Sequence, residues 1–225
     1  MQSIMEEYCL GDEVLRIYVD ECAGSPREGE TFGNIIGWHR RYQIGDLNPF
    51  STSEDFCVWL KTHPSIVLNL YMYDHSGVSL NTTGFSDPWD SGQIGYVFVE
   101  LEKVRRHYGK KRVSKKTVAA VQQVLREEVE SYSQYLKGEV YGFSLQKTCT
   151  CVTCQKEQEE TLDSCGGFYG STSPQRNGMI NYLPKHWQTF LQPPTNQNPA
   201  NTKTLKTHHL AKKTFSTVKP APYSQ

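Results

Sequence analysis

Ile66-Val67-Leu68-Asn69-Leu70-Tyr71-Met72-Tyr73 is the stretch on which the fold turns. It is apolar almost throughout, which predicts a central strand of a sheet. A second run, Gln93 to Leu101, alternates Ile94, Tyr96 and Phe98 with Gly95, Val97 and Val99 and predicts a neighbouring strand. Between them Val78 to Thr83 reads as a hairpin partner or a loop. Val14 to Val19 and Val140 to Leu145, both rich in β-branched and aromatic residues, predict a first and a last strand.

Two helices complete the pattern. Val118, Val121, Leu125, Val129, Tyr132 and Leu136 recur at steps of three or four, which predicts one long amphipathic helix from Lys115 to Leu136 with Ser114 as N-cap. Gly138 then supplies the positive φ that a helix end favours. Glu54 to Lys61 predicts a short helix capped by Ser53 and stopped at His63-Pro64. The order of elements implies an α+β domain over residues 1–170, a mixed or antiparallel sheet with helices packed on one face. Residues 171–191 read as a docked or irregular extension, with Tyr182 to Leu191 as the docked part. Residues 192–225, rich in Pro, Asn, Thr and Lys, are expected to be a disordered, basic, low-complexity tail.

Charge is divided unevenly along the chain. All 24 acidic residues lie at or before Asp163, where 17 Lys and Arg oppose them; the remaining residues carry seven Lys and Arg and no acid. A basic end of this kind suits nucleic acid, an acidic partner or the protein's own body, or is simply solvated. Within the acidic part, residues 103–116 hold eight Lys and Arg and no acid. No run approaches the roughly 20 apolar residues of a membrane helix. Met1 to Asp12 is acidic and lacks the apolar core of a secretory leader, so a soluble cytoplasmic protein is expected, with no membrane partner. The seven cysteines are therefore not expected to form a disulfide framework. Cys149, Cys151, Cys154 and Cys165 have a half-site spacing suited to a structural zinc ion, although the second pair is not a CxxC; otherwise no cofactor is required.

Three polar phrases carry the candidate chemistry. In Tyr73-Asp74-His75-Ser76-Gly77, placed where a strand ends, Asp74 beside His75 could orient an imidazole for acid–base work, provided the strand has already ended. In Trp89-Asp90-Ser91-Gly92-Gln93, Trp89 offers a ring to stack on a base, and Asp90, Ser91 and Gln93 offer hydrogen-bonding groups. In Trp38-His39-Arg40-Arg41-Tyr42, Arg40 and Arg41 offer planar forks for phosphate or carboxylate, with His39 as a second imidazole and Tyr42 beside it. Ser25-Pro26-Arg27 adds a hydroxyl and a guanidinium on a stiff loop. Each phrase also has a structural reading: a polar turn, a core-edge indole, an amphipathic strand. Phosphate-cradling glycine loops, GxSxG and HExxH motifs do not occur in context.

Taken with Gly45-Asp46, Tyr132, Tyr135-Leu136, Gly138, Val140-Tyr141-Gly142 and Asp163-Ser164-Cys165 followed by Gly167-Phe168-Tyr169-Gly170, these phrases resemble a widespread family of small hypothetical proteins of bacteriophages, plasmids and bacterial genomes. The resemblance covers roughly residues 14–170. Two features depart from it: Gly166, where the family usually has an aromatic residue, and the cysteines from Cys149 to Cys154. It implies an accessory role such as host takeover or counter-defence, in the host cytoplasm if phage-encoded, and brings no catalytic residues to carry over. The leading expectation is a protein that binds a nucleotide, nucleic acid or an acidic host protein in an Arg/His/Asp/Trp pocket. The alternatives are an enzyme acting on nucleic acid or nucleotide through His75, Asp74 or His39, and a virion or assembly protein whose basic tail meets nucleic acid.

Overall fold

Backbone hydrogen bonding sorts the strands into two sheets rather than one. The computed structural model describes residues 3–150 and 157–192. In chain order its elements are β1 (Ile4–Leu10), β2 (Glu13–Val19), β3 (Asn34–Gly37), α1 (Ser53–Leu60), β4 (Ser65–Asp74), β5 (Val78–Asn81), β6 (Ser91–Glu100), α2 (Leu101–Tyr108), α3 (Lys115–Leu136), β7 (Val140–Thr150), β8 (Glu157–Tyr169), a 3-10 turn (Met179–Tyr182) and α4 (Lys185–Leu191). The protein is α+β, and every strand pairing is antiparallel. The chain divides into two compact units: residues 25–137, and residues 3–24 with 138–192. The basic tail from residue 193 onward lies outside the described residues.

The unit of residues 25–137 is built on a sheet ordered β3-β6-β4-β5. The apolar run that opens β4 pairs with β6 from Ser65 opposite Glu100 to Tyr73 opposite Ser91. A bulge shifts the register between Leu70 and Tyr71, so that Ile94 joins the same core as Val97 and Val99. That core is completed by Leu70 and Met72 of β4 and by Val121, Leu125, Val129 and Tyr132 of α3. The helical periodicity and the Ser114 cap are found as expected, with Ser114 Oγ accepting from Thr117 N at 3.2 Å. Val104 brings α2 onto the same core. The other face is not bare: Ile36, Phe98 and Phe56 of α1 form a second, largely aromatic cluster with Trp59 and Tyr96, so helices cover both faces of this sheet. The α1 cap lies one residue earlier than expected, at Thr52, whose side chain and that of Asp55 bond reciprocally to each other's backbone N–H in a capping box.

Gly95 fixes how closely β3 approaches β6. A Cβ there would stand 2.0 Å from the Ile36 carbonyl oxygen, so no side chain fits without separating the two strands. Gly45 is equally constrained: its φ is +83°, and a Cβ would fall 2.3 Å from the Ile35 carbonyl oxygen.

The second unit has a sheet ordered β1-β2-β7-β8, with β1 and β8 as its edges. Leu15, Ile17, Phe143 and Leu145 have no exposed surface and pack against Met179, Leu183, Trp187 and Leu191. The docked segment expected near Tyr182 to Leu191 is thus the 3-10 turn and α4. Trp187 is fully buried, and its indole Nε1 donates to Glu13 Oε2 at 2.6 Å; His186 Nε2 meets the same oxygen at 2.8 Å. That contact holds the Glu13 carboxyl below the usual carboxylate range. Among the described residues, no helix is long and apolar enough to cross a membrane.

Trp187→Ala removes the largest buried side chain of this unit and leaves a cavity over β2 and β7. It should cost about 3–5 kcal/mol of unfolding free energy, measured by urea denaturation, whereas Trp187→Phe should cost less because part of the volume is kept.

Candidate functional site

Because β4 and β6 are neighbours, the end of one lies beside the start of the other. Tyr73 pairs with Ser91, and Asp74 N donates to Asp90 O at 2.9 Å. The phrases at 73–77 and 89–93 are thereby brought together at one end of the sheet. The link from β4 to β5 is a tight turn, since Asp74 pairs with Val78. Ser76 adopts φ 57°, the only positive φ at a non-glycine among the described residues, which costs about 1–2 kcal/mol of backbone strain.

Asp74 and His75 do not act on each other. Asp74, half-buried, forms an ion pair with Arg41 Nη2 and accepts from Tyr42 Oη at 3.3 Å. His75 instead meets Asp90 through Nδ1 at 2.8 Å, and its ring lies near Tyr73, 5.9 Å between centroids. The orienting acid for His75 is therefore Asp90, which corrects the pairing expected from adjacency in sequence. Alternation along an extended chain is the reason: consecutive side chains point to opposite sides. Nδ1 of His75 is directed at Asp90, and both side chains are well exposed.

The third phrase joins the first through Asp74. His39 stacks on Tyr42 with centroids 5.2 Å apart and planes 6° from parallel. The Arg41 guanidinium lies 5.4 Å from the Tyr42 ring centroid, and Arg41 N donates to His39 Nδ1 at 3.4 Å. Burial, and secondarily the Arg41 charge, push the His39 imidazole below its ordinary pKa. Arg40 is exposed and makes no ion pair among the described residues.

Trp89 is 92 % exposed, not a core-edge plug. It is held from below by Asp87, a residue the sequence reading did not single out. Asp87 Oδ1 accepts from Trp89 N at 2.8 Å and from Asp90 N at 3.4 Å, and the Asp87 carbonyl accepts from Ser91 Oγ. The Asp87-Pro88 dipeptide was the available signal, since Asp at a turn bonds to its own backbone two residues on.

Other expected ligands lie elsewhere. Ser25 Oγ accepts from Arg27 N at 3.2 Å, a turn bond. Arg27 has a side chain only 6 % exposed, donating from Nε to Asp46 at 2.9 Å and from Nη2 to the Gly33 carbonyl at 2.8 Å, with Glu128 3.5 Å from Nη1. All its charge is compensated inside the unit. Gln93 lies on the rim of a separate shallow groove of about 540 Å³ with Trp38, Thr52 and Tyr96, and donates to Gly95 O at 3.4 Å.

For the thiols, Cys151 and Cys154 lie outside the described residues. Cys149 sits opposite Gln158 and Cys165 opposite Phe143. Six residues of β7 separate those positions, about 20 Å at the usual strand rise. Tetrahedral zinc with sulfurs at about 2.3 Å needs them within about 4 Å of each other. In this hairpin Cys149 and Cys165 do not share one ion, and among the described residues no cluster of metal-binding side chains occurs.

Comparison with protein-family models, with curated proteins and with solved structures found no match.

Two measurements check this geometry. Arg27→Met leaves Asp46 and Glu128 without their buried cation and should destabilise the protein by about 3–5 kcal/mol, read from denaturant unfolding. An NMR titration should place the His39 imidazole below about 6.5, and Arg41→Gln should raise it by removing the repelling charge. Since the folded state binds fewer protons at His39, stability should rise with pH through the window between its lowered value and about 6.5.

Proposed function

We propose that the unit of residues 25–137 is a recognition module that stacks Trp89 on the base of a nucleotide or of single-stranded nucleic acid. The observation that carries this is the exposure of Trp89 on a turn pinned by Asp87 and by the paired ends of β4 and β6. An indole that large normally contributes to stability by burial. Presented to water on a turn whose backbone is fixed, it offers a stacking face worth about 1–3 kcal/mol per base. Asp90 beside it can accept from an exocyclic amino group, and Arg40, exposed and without an ion pair among the described residues, can meet a phosphate. Asp74, Asp87 and Asp90 surround the same end, which favours reading of a base over attraction of a long polyanion. The motif resemblance to phage and plasmid proteins supports an accessory role for such a module, in host takeover or counter-defence.

A second reading, turnover of a nucleotide or nucleic acid, draws support from the His75–Asp90 pair, with Arg41 as the group that would steady developing charge. Its imidazole stands open to water, whereas acid–base catalysis gains most from a site that excludes water.

Titration with mononucleotides and a short single-stranded oligonucleotide should quench tryptophan fluorescence. Trp89→Ala should weaken binding by about fivefold to 150-fold, the equivalent of about 1–3 kcal/mol. Unchanged affinity in that variant would refute base stacking at Trp89. Product formation abolished by His75→Ala would select the enzyme instead.

A further inference from the structure

We infer that residues 103–116 form a second contact surface, directed at the phosphate backbone of nucleic acid. Eight of the fourteen Lys and Arg of the 25–137 unit fall in this segment, which contains no Asp or Glu. The fold gives the segment a firm base. Fully buried Val104 anchors α2, Gly109 ends that helix with φ 61°, and Ser114 caps α3, which is fastened to the core by Val121 and Leu125.

Among the described residues, internal partners account for only two of the eight cations. Lys103 donates to the Thr31 carbonyl at 2.9 Å, and Arg106 pairs with Glu102 at 3.0 Å on the open surface. Arg105, Lys110, Lys111, Arg112, Lys115 and Lys116 are exposed and make no ion pair among the described residues. The two lysines that open α3 also sit where a helix favours acids, and its first turn has none. Stability alone does not ask for this arrangement; a bound polyanion would relieve the repulsion.

The surface suits nucleic acid better than a lipid bilayer. The exposed large apolar side chains of the described residues include none between 101 and 116, so the segment has no apolar face to insert. It is also distinct from the Trp89 turn. Trp89 precedes β6 and α2 follows it, and ten residues of strand hold the two about 30 Å apart. One mononucleotide cannot touch both, and the phosphate surface does not depend on base stacking at the other end.

The test uses the full chain and a labelled duplex of about 20 bp, with anisotropy read from about 50 mM to about 200 mM salt. Lys110, Lys111 and Arg112 are changed together to Gln. They lie in an exposed link where their side chains make no ion pair among the described residues, and circular dichroism checks that the fold is kept. The variant should bind at least about tenfold more weakly at low salt, with a slope of log affinity against log salt shallower by about 2 to 3. Lys61→Gln, an exposed lysine outside the segment, should leave duplex binding unchanged, which assigns the contact to residues 103–116. Duplex affinity and slope that are the same in the triple variant would overturn the inference. So would absence of duplex binding at low salt, or binding only to phosphatidylserine vesicles.

Discussion

One buried guanidinium holds the framework of the candidate site together. Arg27 ties the 25–33 loop to Asp46 and to Glu128 of α3. Asp46 also accepts from Ile35 N at 2.8 Å, and Glu128 accepts from the amides of Phe32 and Gly33. The carboxylates thus serve the cation and the backbone at once, and buried charge is tolerable only under such full compensation. The consequence reaches the site through β3. Its position beside β6 sets where the following residues, His39 to Tyr42, meet Asp74. Gly45, whose N–H donates to the Tyr132 hydroxyl at 3.1 Å, closes the same turn.

Much of this fold was legible in the sequence because the main signals were local. The run at Ile66 and the periodicity of α3 each reported one buried face, and the structure places both where expected. Four elements escaped, among them β3, whose four residues are too short a run to mark a strand. β1 is broken up by Glu6 and Glu7 and buries little, so no apolar alternation marks it. β8 is exposed along most of its length for the same reason. The basic residues of α2 hid a helix whose single fully buried anchor is Val104. The split of the strands into two sheets is a matter of long-range pairing, β2 with β7 across more than a hundred residues, and no local pattern reports it.

Within the site, proximity was legible and partnership was not. Two apolar runs that read as neighbouring strands bound the 73–77 and 89–93 phrases, and the pairing of β4 with β6 brings these together. Which acid serves which cation depended on side-chain direction: Asp74 turns to Arg41, and Asp90 to His75. Arg27 looked like a ligand because a guanidinium beside Ser-Pro reads as exposed; its burial follows from two carboxylates that are distant in sequence. Asp87 was overlooked because its function is exerted through backbone amides.

The 13-residue strand β8 lies at the rim of its sheet, where unpaired amides and carbonyls would welcome another strand. Glu157, Glu159, Glu160 and Asp163 line it, nearly all open to water. Two such rims meeting side by side would force carboxylates together. The acidity that concealed this strand in the sequence is thus its safeguard against self-templated aggregation.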